Sequence, residues 1–170
     1  MQGRFQREGA VVSNTMSTRL IDPFGRSVEY LRLSVTDRCD LRCFYCLPGD
    51  YRDFSEPEEW LTFDEIERVI RAYASLGVQR VRITGGEPLV RKNLPSLVTR
   101  LSGIPGIEDL SLSTNAVSLT RQATALKTAG ISRINVSLDS LRADRFKDIT
   151  KGNIGKVIDG LMSAKQAGFS

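Results

Sequence analysis

The sequence predicts an α/β fold built on a parallel sheet. Two observations carry this. Short apolar or alternating segments are followed by segments of helical periodicity, four times in succession. Glycines stand where several of the helical stripes stop. Strict strand–helix alternation calls for parallel strands joined by right-handed crossovers. Four such units cannot close an eight-stranded barrel, so they form either an open sheet or part of a larger barrel.

The elements follow in order. Residues 1–19 show no clear periodicity and read as a flexible lead, with Met16 as an alternative start. Residues 31–36 (LRLSVT) alternate as a half-buried strand does. Residues 48–61 read as a loop whose acids Asp50, Asp53, Glu56, Glu58 and Glu59 form a solvated surface. A helix starts near Thr62, which has capping-box spacing to Glu65. Its apolar face is Phe63, Ile66, Val69, Ile70, Tyr73 and Leu76, and Gly77 stops it. A strand is expected at 78–83, a sharp turn at 84–88 (TGGEP) and a helix at 94–102 on Leu94, Leu97, Val98 and Leu101. A strand at 108–113, a helix at 119–129 ending at Gly130 and a strand at 131–138 follow. Ile134, Val136 and Leu138 share one side of that last strand. A short helix at 141–148 precedes a final one at 154–167, which uses Ile154, Val157, Ile158, Leu161 and Ala164.

Composition narrows the function classes. Of 170 residues, 41% are hydrophobic and 26% charged, which are ordinary globular proportions. No apolar run is long enough to span a bilayer, and the polar N-terminus lacks the apolar core of a secretory signal. A net charge of +4 does not call for nucleic acid and suits a small anionic substrate. The absence of histidine removes Ser-His-Asp triads, Cys-His nucleophiles and histidine-containing zinc sites. The three cysteines, Cys39, Cys43 and Cys46, make a poor disulfide framework and fit a reducing, cytoplasmic setting.

Those cysteines lie in CDLRCFYC, directly after the first strand. In parallel α/β folds, sites form at the carboxyl ends of the strands. Three thiolates at this spacing can wrap one cubane iron–sulfur cluster and leave one iron open to a small molecule. Incidental thiols are the bland alternative. A zinc site is another, with Asp37, Asp40 or Asp50 as the fourth ligand.

CDLRCFYC resembles the CxxxCxΦC motif of the radical S-adenosylmethionine (SAM) enzymes, with Tyr45 as the aromatic position. ITGGEP at 83–88 resembles that family's glycine-rich SAM-contacting turn, which maps to Gly86, with Gly85 and Glu87 beside it. A glycine there would let the backbone approach a ligand closely. From about Leu20 onward, DPFGRSVEYLRLSVTDRCDLRCFYC, RITGGEPLVRKNL, LSTNA and INVSLDSL together resemble the GTP 3′,8-cyclase family of molybdenum-cofactor biosynthesis. Two segments depart from that pattern: Asp40 replaces an asparagine, and STNA replaces TTNG.

The resemblance implies a partial (β/α) radical SAM barrel of about four units, spanning 20–170. It implies truncation, with further barrel units, a second three-cysteine cluster and a Gly-Gly tail beyond Ser170. It implies a [4Fe–4S] cluster on Cys39, Cys43 and Cys46, and SAM at Tyr45, Gly86 and Ser137. GTP would sit at Arg32, Arg82 and Ser113. Guanidinium groups suit triphosphate oxygens in geometry and charge. The implied chemistry is one-electron cleavage of SAM to a 5′-deoxyadenosyl radical. That radical takes hydrogen from C3′ of GTP, and attack on C8 leads to 3′,8-cyclo-7,8-dihydro-GTP. No general-base constellation is needed, because the cofactors carry the hard chemistry. Implied partners are an electron donor, a second copy in a homodimer, and the next enzyme of the molybdopterin pathway, with no membrane and no nucleic acid. Another radical SAM enzyme, such as a peptide modifier, and a cluster-binding fragment without turnover are the alternative readings. A half barrel is also expected to be poorly soluble or oligomeric by itself.

Overall fold

A computed structural model describes residues 19–169 apart from Leu47 and Gly49. Residues 1–18 of the expected lead, with Met16, lie outside the described residues. Four strands form one parallel sheet in the order β1-β2-β3-β4: Tyr30–Ser34, Arg80–Thr84, Asp109–Thr114 and Arg133–Val136. The helices are α1 (Phe63–Ser75), α2 (Leu94–Ser102), α3 (Ala123–Ala129), α4 (Ala143–Thr150) and α5 (Ile154–Gln166). Because the strand order never reverses, right-handed crossovers place every helix on one face of the sheet. That is the arc of a barrel wall, not a doubly wound sheet with helices on both sides.

Strand alternation explains both faces. Val81, Ile83, Leu110 and Leu112 are buried beneath the helices with Leu94, Leu97, Leu101 and Leu126. Their neighbours along the strands point the other way. That opposite face carries Tyr30, Arg32, Ser34, Arg80, Arg82, Thr84, Asp109, Ser111, Ser113, Arg133 and Asn135. One wall of the sheet is therefore almost wholly polar. This is unusual for a parallel sheet, whose faces are normally both covered and apolar.

The helices follow from local signals with three adjustments. The α1 capping box forms as expected: Thr62 Oγ1 accepts from Glu65 N–H at 3.3 Å, and Glu65 Oε2 accepts from Thr62 N–H at 2.8 Å. Only Ile66 and Ile70 of its stripe are buried, while Val69, Tyr73 and Leu76 stay exposed. The helix expected at 119–129 is divided into a 3-10 turn, Leu119–Arg121, and α3. Gln122 breaks it at φ −126°, and its side-chain amide donates to the Leu89 carbonyl. The helix expected at 141–148 begins later, because Ser140 Oγ accepts the Arg142 N–H and caps the preceding turn.

Candidate functional site

All four strands point the same way, so the loops that follow them meet at one end of the sheet. These are the cysteine segment after β1, the glycine turn after β2, the Asn115 loop after β3 and the Ser137–Asp139 loop after β4. The cysteine segment is anchored on two sides. Gly86 N–H donates to the Thr36 carbonyl and Glu87 N–H to the Arg38 carbonyl, each at 2.8 Å. Farther along, Arg42 N–H and Phe44 N–H donate to the Thr150 and Ile149 carbonyls at the end of α4.

Cys39 and Cys43 are half-buried and Cys46 is exposed. Burial pushes the Cys39 and Cys43 thiols up from their ordinary pKa, a direction that a bound metal reverses by favouring the thiolate. Among the described residues, no three Cys, Asp or Glu side chains gather as ligands of a single metal ion. A cubane cluster makes a different demand, since each thiolate binds a different iron and the sulfurs stand well apart. The donor set of three cysteines around one loop fits that larger group better than zinc.

Tyr45 donates its hydroxyl to Asp139 Oδ1 at 2.8 Å. That bond raises the phenol's pKa and ties the cysteine loop to the loop after β4. Ser137, two residues from Asp139, is exposed there, with its N–H on the Thr114 carbonyl at 3.0 Å. Tyr45, Gly86 and Ser137 thus lie on three loops at the same end. The fold itself gives a further reason for glycine at 86. A Cβ on Gly86 would come within 2.4 Å of the Arg38 carbonyl oxygen and 2.6 Å of that of Asp37. The missing side chain makes room for the cysteine segment's own backbone.

Arg32 and Arg82 are register partners on β1 and β2, and Ser111 is the partner of Arg82 on β3. They stand in the middle of their strands. Arg82 lies over the Tyr30 ring at 5.7 Å, with its Nε donating to Ser111 Oγ at 3.4 Å. Among the described residues no carboxylate pairs with either guanidinium. Their neighbours on the same face are paired: Arg80 with Glu29 at 3.7 Å, and Arg133 with Asp109. Ser113 lies one step nearer the loops on β3, opposite Asn135.

Sequence reasoning gave Glu87 only a place in the glycine turn and gave Asn115 no role. Glu87 is 1% exposed and accepts from Thr114 Oγ1 (2.7 Å), Asn115 N–H (2.7 Å) and Leu89 N–H (3.0 Å). Burial still raises its pKa despite three donors. Asn115 donates through Nδ2 to Asp40 and to the Cys39 sulfur. Only its position directly after a strand, in LSTNA, signalled it. The acids of the 50–59 loop are exposed as expected, while Trp60 packs between Arg38 and Arg91.

A family model described as the radical SAM superfamily matches residues 33–170. The chain belongs to the radical SAM superfamily. Its membership implies SAM and an iron–sulfur cluster as cofactors. Among curated relatives, this radical SAM chain is 53% identical over 149 residues to a GTP 3′,8-cyclase of Pelotomaculum thermopropionicum, covering 87% of this chain and 46% of the relative. It is 50% identical to a GTP 3′,8-cyclase of Listeria monocytogenes over 88% of this chain and 45% of the relative. For GTP 3′,8-cyclase 2 of Pseudomonas aeruginosa the identity is 49%, with 89% and 46% covered. The chain therefore spans about half the length of the curated relatives it matches. The fold is shared with Streptococcus suis SuiB bound to its precursor peptide SuiA, at TM-score 0.71 and 20% identity over 84% of this chain and 31% of that one. Methylornithine synthase (PylB) aligns at TM-score 0.64 and 14% identity over 91% of this chain and 44% of that one. No helix among the described residues is long and apolar enough to cross a membrane.

Proposed function

We propose that residues 20–170 form the N-terminal part of a cytoplasmic radical SAM GTP 3′,8-cyclase, which converts GTP to 3′,8-cyclo-7,8-dihydro-GTP in the first step of molybdopterin biosynthesis. The observation that carries the substrate reading is the Arg32–Arg82 pair. Like charges directly opposite one another on adjacent strands are destabilising. Two guanidinium groups in register, without a carboxylate partner among the described residues, fit a polyanionic ligand, which would neutralise both. The names of the relatives, at about half identity, supply the same substrate independently.

Cys39, Cys43 and Cys46 would hold a [4Fe–4S] cluster, with SAM bound between Tyr45, Gly86 and Ser137. Bound there, the two groups supply one-electron chemistry for removing a hydrogen from the substrate. The chain's own residues bind and orient. Arg32 and Arg82 hold phosphate charge on the polar wall, and Ser113 offers a hydroxyl one step closer to the cysteine loop. Asp139 fixes the Tyr45 ring beside the cysteines. An electron donor, a second copy of the chain and the next enzyme of the pathway belong to this reading as partners.

Two measurements test it. The anaerobically reconstituted, reduced chain should give a cluster signal in electron paramagnetic resonance that changes when SAM is added. A charge-assisted hydrogen bond contributes about 1.5–3 kcal/mol, so Arg82→Ala or Arg32→Ala should weaken GTP binding in calorimetry by about tenfold to a hundredfold. GTP affinity that neither substitution changes would overturn the substrate reading. A folded chain that takes up no cluster would overturn the cofactor reading.

A further inference from the structure

Asn115 sits at the centre of a network that joins three of the four loops. Its Oδ1 accepts from Val117 N–H at 2.9 Å, which fixes the orientation of the amide and turns Nδ2 toward the cysteines. Nδ2 donates to Asp40 Oδ1 at 2.7 Å and lies 3.8 Å from Cys39 Sγ. The same sulfur accepts from Leu41 N–H at 3.4 Å. Asp40 is held from its other oxygen by Ser118 Oγ at 3.2 Å. On its backbone side, Asn115 N–H donates to the buried Glu87 at 2.7 Å. The amide therefore faces a sulfur and a carboxylate at once, and neither can turn away freely.

We propose that Asn115 is a positioning residue that raises the reduction potential of the iron–sulfur cluster through Cys39, and that Asp40 opposes it. The inference rests on the cluster reading above. A cluster that accepts an electron gains negative charge, which spreads onto its thiolates. An N–H aimed at the Cys39 sulfur stabilises that charge, and a carboxylate beside it repels it. Hydrogen bonds to the sulfurs and nearby charge are among the protein's principal controls on cluster potential. Asn115 acts twice, once on the sulfur and once by drawing Asp40 into a charge-assisted bond. Asp40 directly follows Cys39 in the chain, so its charge stands beside the first cysteine.

The test compares the reconstituted chain with its Asn115→Ser and Asp40→Asn variants. Serine keeps an acceptor for the Val117 N–H but cannot reach Cys39 or Asp40. Iron and sulfide content measure loading, and a reductive titration followed by electron paramagnetic resonance gives the midpoint potential. Asn115→Ser should lower the potential and Asp40→Asn should raise it. Each change should be about tenfold in the reduction equilibrium, which is 59 mV for a one-electron couple. Opposite signs at unchanged loading are an outcome that a merely structural role does not produce. Should Asn115→Ser fail to load, the rise in Asp40→Asn still carries the sign. Loaded variants with the unsubstituted chain's potential would overturn the inference and leave the cluster reading intact. An unsubstituted chain without any cluster would overturn both.

Discussion

Replacing Glu87 with glutamine exchanges one buried oxygen for an NH₂ group and changes little else in shape. Oε1 can continue to accept from Leu89 N–H and Thr114 Oγ1. The new amide nitrogen then faces the Asn115 N–H, a donor that Oε2 accepts from at 2.7 Å. Two donors at that distance cannot bond, and the side chain is 1% exposed, so water cannot readily substitute. Losing a hydrogen bond to a charged group costs about 1.5–3 kcal/mol. Relief of the carboxylate's desolvation offsets part of this, which leaves a net loss of about 1–2 kcal/mol. For a chain of this size that corresponds to a fall in Tm of about 2–8 °C. The pH dependence supplies an independent check. Burial raises the folded-state pKa of Glu87 above its ordinary 4.5. Between those two values the native state binds more protons than the unfolded state, so stability falls as pH rises. Thermal unfolding followed by circular dichroism from pH 4.5 upward should show that decline in the unsubstituted chain and a flatter profile in Glu87→Gln. A glutamine variant with an unchanged Tm and an unchanged pH profile would refute the reasoning.

Two further predictions concern packing and capping. Gly86→Ala should destabilise by about 1–3 kcal/mol, because its Cβ would meet two backbone carbonyls of the cysteine segment that cannot rotate away. Iron uptake should fall with the Tm, and full uptake at an unchanged Tm would contradict the packing argument. Thr62→Ala should cost about 1 kcal/mol by removing the α1 cap, read as a lower urea midpoint. Bonds from Thr62 hold the Glu65 carboxyl below its ordinary pKa of 4.5, so its stabilisation is present above that pH and lost as pH falls through the folded value. The gap between Thr62→Ala and the unsubstituted chain should therefore narrow in acid.

The sequence by itself determined the element order, the parallel sheet and the grouping of its loops. Those depend on local signals that survive without tertiary contacts: the Thr62–Glu65 capping box, the Leu94–Leu101 stripe and the stop at Gly130. It also brought forward the three cysteines, because three thiols in eight residues are rare and follow a strand. What the tertiary structure decided was which of these features touch one another. Only the register of β1 on β2 sets Arg32 opposite Arg82, and only the fold leaves that pair without a carboxylate among the described residues while Arg80 and Arg133 find theirs. The missing side chain of Gly86 proved to serve chain packing. Gln122 broke an otherwise continuous helical pattern because a distant carbonyl, that of Leu89, accepts its amide. The buried, bridging roles of Glu87 and Asn115 were nearly silent in the sequence, as an acid and an amide in turns ordinarily face water. Burial and convergence of the loops make them the link between the glycine turn and Cys39, and neither can be read from residues that lie 28 and 76 positions apart.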